Sequence, residues 1–165
     1  MARRVTKSRH ATDPRLALAI LLAVYCFNFI DRTIVSILQE PLKQELRLSD
    51  TQLGLISGTA FALFYSTLGV PIARIAERVD RPRIIPIALA TWSLMTMLCG
   101  FATNFLQLFL CRVGVGIGEA GGTPPAHALL SEIFPADRRA TAISIYSLGV
   151  PLGILFGAVA GGAIG

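Results

Sequence analysis

Four ionisable side chains interrupt runs that are otherwise almost wholly apolar: Asp31 and Arg32 in one run, Arg112 and Glu119 in another. Two chemistries follow from these residue types. A guanidinium attracts a carboxylate or phosphate and grips it with parallel hydrogen bonds. A carboxyl group held away from water loses its charge when it takes a proton, and the neutral form is the cheaper one to carry through an apolar place. Their spacing groups them. Arg112 and Glu119 are seven residues apart, two helical turns, so they share one helix face about 10 Å apart along the axis. Gly116 and Thr123 fall on that face too. Tyr25, Asn28, Arg32, Ser36 and Gln39 recur at three- and four-residue steps and make a second polar stripe. Two such stripes suit a cavity lined from both sides.

The elements that position these stripes follow from composition. Of 165 residues, 53% are hydrophobic and only 15% charged, with a mean hydropathy of +0.63. A soluble domain carries about 25% charged residues, so this chain has too little charge to cover a water-facing surface. The same numbers exclude a disordered chain. A bilayer core takes about 20 mainly apolar residues per helix. Five stretches qualify: 16–38, 53–75, 84–102, 105–125 and 140–165. The fold expected is an all-α polytopic membrane bundle of five transmembrane helices. Glu40-Pro41 ends the first stretch, Ser49-Asp50-Thr51-Gln52 reads as a helix N-cap before the second, and Thr103-Asn104 is a minimal turn. Phe134 to Arg139 separates the last two stretches.

The net charge of +5 is unevenly placed. Eleven Lys and Arg lie in the N-terminal tail, the loop after the second stretch and the loop after the fourth, against two (Lys43, Arg47) in the remaining loops. The positive-inside rule then puts the N-terminus in the cytoplasm. Residues 1–15 form a basic cytoplasmic tail, read as a membrane anchor and not a nucleic-acid contact, and 16–165 form the bundle. A secretory signal is excluded because Asp31-Arg32 follows without a cleavage site and four more spans come after. In this orientation Asp31 and Arg112 both lie roughly 10 Å below the outer surface and carry opposite charge. A purely structural ion-pair network is one reading, since the four charges cancel. Buried pairs are weak stabilisers, so a solute and proton pathway is the favoured one.

Small residues recur at every fourth position. Gly54, Gly58, Ala62 and Ser66 make one stripe, Gly114, Gly118 and Gly122 another, and Gly149, Gly153, Gly157, Gly161 and Gly165 a third. Such faces let helices approach closely where lipid gives no hydrophobic drive. Both static packing and sliding suit them. Gly116-Ile-Gly-Glu-Ala-Gly121 spells a dinucleotide fingerprint, but its neighbours are membrane-length runs and not a βαβ unit. Cys26, Cys99 and Cys111 all sit inside spans as small apolar filler. His127 stands alone near the inner end of the fourth stretch. No Ser–His pairing or metal-ligand spacing occurs, so no enzyme activity, metal or cofactor is expected.

The charged turn Ala73-Arg-Ile-Ala-Glu77-Arg78-Val-Asp80-Arg81-Pro82-Arg83 resembles the signature loop of the major facilitator superfamily, G-x-x-x-D-R-x-G-R-[RK], keeping the acid, Arg78 and Arg81 but replacing the glycines with Ala73 and Asp80. Within that superfamily, four segments resemble the spinster-like group. They are Asn28-Phe-Ile-Asp31-Arg32, Leu48-Ser-Asp-Thr-Gln-Leu-Gly54, Arg112-Val-Gly-Val-Gly-Ile-Gly-Glu119-Ala and Tyr146-Ser-Leu-Gly-Val-Pro151-Leu-Gly153. The resemblance covers about 16–165 and implies the N-terminal half of a transporter with two six-helix halves, the C-terminal half being expected beyond this chain. It implies secondary active, proton-coupled transport by alternating access, with an organic anion or an amphiphilic lipid-like solute as substrate. It also implies a cavity lined by Asp31, Arg32, Arg112 and Glu119, with Tyr25 and Asn28 beside them. Glu77, Arg78 and Arg81 would act as a conformational-switch loop. A bacterial-type inner (plasma) membrane is the location expected. The alternative is a truncated, non-transporting membrane protein or assembly partner.

Overall fold

The computed structural model describes residues 13–58, 66, 67, 71 and 81–164. Its helices, in chain order, are α1 (Pro14–Ile37), α2 (Gln39–Glu45), α3 (Asp50–Ser57), α4 (Arg81–Cys99), α5 (Phe105–Ala120), α6 (Thr123–Ile133), α7 (Arg139–Ser147) and α8 (Gly149–Ile164). There is no strand among the described residues. Most of the basic tail and of the 53–75 stretch, including Ala62, lies outside them, as do Glu77 and Arg78 of the charged turn and Gly165. Arg81 is described only as the first residue of α4.

The helix starts have local causes. Asp13 accepts the backbone N–H of Arg15 at 3.0 Å, with Pro14 in the first turn where its missing N–H costs nothing. Ser49 and Gln52 form a capping box: the Ser49 hydroxyl accepts the Gln52 N–H at 3.2 Å, and the Gln52 side chain accepts the Ser49 N–H at 2.9 Å. Asn104 accepts the N–H of Gln107 at 3.0 Å, while Gln107 accepts that of Thr103 at 2.9 Å.

The first helix ends at Ile37, within a residue of the expected end, and Pro41 sits in the first turn of a short second helix, α2. Two stretches differ from the sequence expectation, both at prolines. The fourth stretch is two helices that together run on to Ile133, eight residues beyond Pro125. Pro124 and Pro125 have no N–H for the carbonyls of Ala120 and Gly121, so the helical ladder breaks there and restarts. Pro151 likewise leaves the Ser147 carbonyl without its usual donor, and α7 gives way to α8 at Leu148. The α7–α8 unit still reads as one span, Arg139–Ala163. It and α1 are each long and apolar enough to cross a membrane, and Ile84–Cys99 is a shorter apolar helix.

Two close helix pairs organise the molecule, α1 with α8 and α4 with α5. Glycines set both seams. A Cβ built on Gly153 would stand 2.5 Å from the Cys26 carbonyl oxygen and from Phe29 Cβ. One on Gly157 would stand 2.7 Å from Thr33 Cβ, and one on Gly149 3.1 Å from the Cys26 nitrogen. Across the other seam, Gly118 would meet the Trp92 backbone nitrogen at 2.7 Å and Gly114 the Met95 sulfur at 2.6 Å. These backbones approach closely because no side chain intervenes. One apolar cluster, Leu18, Leu21, Ala126, Leu130, Ala142 and Tyr146, closes the end near the N-terminus. Another, Leu48, Ile56 and Leu108, closes the opposite end. Large apolar side chains such as Leu94, Phe101, Leu155 and Val159 cover the outside, as a bilayer requires.

Candidate functional site

Between the two apolar clusters lie the charges. Arg32, in the last third of α1, points at Glu119 in the last turn of α5. Its Nε donates to Glu119 Oε2 at 3.0 Å, and its Nη2 donates to the same oxygen. The Glu119 side chain is 1% exposed and that of Arg32 33%, so the pair has one dry and one accessible partner. Glu119 Oε1 is buried and accepts no hydrogen bond from the described residues. The Arg32 guanidinium also lies over the Phe29 ring, 5.5 Å from its centre.

Asp31 turns the other way, toward α4, where its Oδ2 accepts the Thr96 hydroxyl at 3.4 Å. Arg112 and Asn28 are buried. The charge of Arg112 acts on Asp31 and Glu119 alike, and Asp31 and Arg32 also act on Glu119. The four charges therefore form one cluster joining α1 to α4 and α5. Beside Glu119, toward Gly122 and Thr123, a small cleft opens, lined also by Asn28, Tyr25, Trp92 and Tyr146. Tyr25 stacks on Tyr146 with ring centres 4.5 Å apart, and His127 meets Tyr146 edge-on at 5.2 Å.

The residues named from sequence are thus placed as follows. Asp31, Arg32, Arg112 and Glu119 come together, with Asn28 and Tyr25 in the adjoining cleft. Equal depth suggests Asp31 and Arg112 as electrostatic neighbours, and the charge of Arg112 does act on Asp31; the side-chain hydrogen bonds run from Arg32 to Glu119 and from Thr96 to Asp31. An arginine stem spans the difference in depth between its own backbone and Glu119. Ser36 takes no part: its hydroxyl donates to the Arg32 carbonyl at 3.0 Å. Gly116 to Gly121 forms the end of α5 and its cap. Thr96, Trp92 and Tyr146 were not singled out. Only Tyr146 carried a signal, its place in the Tyr-Ser-Leu-Gly-Val-Pro segment; Thr96 is one hydroxyl in an apolar run.

Residues 21–165 match the Major Facilitator Superfamily. That match covers most of the chain, and the chain belongs to this superfamily. It is an integral membrane protein of a transporter family, not of an enzyme family. Its relatives place it in the spinster-like group. A crystal structure of a bacterial homologue of the human lysosomal transporter spinster, inward-facing and occupied, is 46% identical and superposes with a TM-score of 0.84, over 88% of this chain and 31% of that one. An MFS-type efflux pump of Mycolicibacterium smegmatis is 38% identical over 148 residues, 90% of this chain and 34% of the pump. Protein spinster homolog 1 of Homo sapiens is 31% identical over 152 residues, 88% of this chain and 29% of that protein. The chain spans about a third of the length of these relatives.

Proposed function

We propose that this chain is the N-terminal bundle of a proton-coupled secondary transporter for an organic anion or an amphiphilic, lipid-like solute. Residues 1–15 are its cytoplasmic tail, 16–165 the bundle, and the inner membrane of a bacterial cell its location. The observation that carries the reading is the ion pair of Arg32 with buried Glu119, whose second oxygen accepts no hydrogen bond from the described residues.

The pair works as an exchangeable contact. Ionised Glu119 holds Arg32. A proton bound at Oε1 removes the charge that holds it, and the guanidinium turns to the oxygen of an anionic headgroup or carboxylate. Arg112 adds a second positive charge at the same place. The proton on Glu119 and the anion on the arginine are then exposed together to the far side and released there, which is symport by alternating access around a midplane site. Tyr25 and Asn28 line the cleft beside Glu119, and the signature segment with Glu77, Arg78 and Arg81 is assigned the role of biasing the two access states. Gly114, Gly118, Gly149, Gly153 and Gly157 keep each helix pair a rigid unit during that motion.

Uptake into proteoliposomes holding the full-length transporter, screened across anionic solutes and lysolipids under an inward proton gradient, tests the reading. Arg112→Ala is expected to raise the half-saturating concentration of the transported anion by about tenfold or more, the worth of one charge-assisted contact. An unchanged value makes Arg112 a structural partner only.

A further inference from the structure

Cys99 ends α4, and Cys111 lies in the second turn of α5. Their helices run antiparallel, and the glycine contacts fix the register: Gly118 lies against Trp92 and Gly114 against Met95. One more turn along the same seam sets Cys111 opposite Cys99. Steps of three and four residues keep Gly118, Gly114 and Cys111 on one face of α5 and Trp92, Met95 and Cys99 on one face of α4, so both thiols lie along the seam. Both are half-buried and reduced. Cys26 is remote from them, held in the α1–α8 seam against Gly149 and Gly153.

We propose that Cys99 and Cys111 are a redox modification site, a thiol pair that a disulfide donor converts into an intramolecular disulfide across the α4–α5 seam. One protein thiolate attacks a donor sulfur, the donor S–S bond breaks and one donor thiol leaves. The second protein thiolate then attacks the protein sulfur of the mixed disulfide and expels the other donor thiol. The chain loses two hydrogens and two electrons, and the donor gains both as two thiols. A disulfide needs a short reach between backbones, which two helices packed along a glycine seam favour, and the second attack is intramolecular and therefore fast. The bond ties together the backbone that carries Thr96, one turn before Cys99, and Arg112, next to Cys111. Oxidation therefore fixes one member of the charge cluster, Arg112, and the Thr96 partner of another, Asp31. The orientation proposed above puts this end of the seam on the oxidising side of the membrane; the thiol chemistry itself is independent of transport.

The test uses membranes containing the protein, treated with dithiodipyridine, a lipid-permeant aromatic disulfide, then denatured, labelled with maleimide and weighed intact. The labelled thiols are expected to fall from three to one, in a monomeric chain two hydrogens lighter. A linked 99–111 peptide should appear, and reductant should restore all three labels. Cys26→Ser is expected to lose every label, and Cys111→Ser to keep a stable pyridyl adduct on Cys99. The inference is overturned if all three thiols remain labelled, if Cys99 and Cys111 each retain a pyridyl group without a link, or if the link runs through Cys26. The main readout is on the unsubstituted chain, so a misfolded variant does not decide it.

Discussion

Helix α1 is held to α8 and to α5 by opposite means. Toward α8 it meets glycines so closely that added carbon would strike its backbone, at Cys26 and Ile30. Toward α5 it extends one long side chain, Arg32, to one buried carboxylate. The first contact depends on shape, and no change of pH alters it. The second depends on charge, and a single proton changes it. A molecule that must move parts without falling apart benefits from both: fixed seams within pairs, and a switchable joint between them.

The largest effect is expected where the joint is cut from one side. Arg32→Ala leaves Glu119 buried without its ion-pair partner, and about 3–5 kcal/mol of stability should be lost, read by unfolding in mixed micelles. Adding Glu119→Gln to it should recover most of the loss; no recovery would mean that Arg32 acts through packing on Phe29 instead. Next comes the seam. Gly153→Ala is expected to cost about 2–3 kcal/mol, because the new carbon strikes the Cys26 carbonyl, and the cost should not vary with pH. Gly114→Ala sharpens the point. Its carbon meets only the Met95 side chain, a flexible thioether that can swing aside, so the loss should stay below about 1 kcal/mol, whereas Gly118→Ala against the Trp92 backbone should resemble Gly153→Ala. The smallest effect belongs to Lys43, whose ammonium is paired with Asp50 at 2.5 Å on the surface. The neighbouring carboxylate raises the Lys43 pKa above its usual value. Whatever stability that pair adds is therefore present at neutral pH and lost as pH rises through the raised value, and Lys43→Ala should leave unfolding near pH 7 almost unchanged.

Much of this was readable in the residues. The four charges, their two helices and the every-fourth glycines are visible because helical periodicity converts spacing into faces. The helix breaks at Pro124-Pro125 and Pro151 were missed because a hydropathy window counts apolar residues and ignores missing N–H groups. Partner choice was hidden for a different reason. Depth along a helix matches backbones, yet Arg32 reaches Glu119 with its side chain, and the Thr96 hydroxyl meets Asp31 from a third helix. The cleft wall formed by Trp92 and Tyr146 depends on how helices distant in sequence meet, and no single stretch records that.

Glu119→Gln tests the central claim most directly. The amide copies the neutral acid and can still accept from Arg32, so insertion and folding should be preserved. In proteoliposomes holding the full-length transporter, uptake driven by a proton gradient should vanish, while solute binding persists at alkaline pH. Uptake that follows the gradient as in the unsubstituted protein would contradict the account.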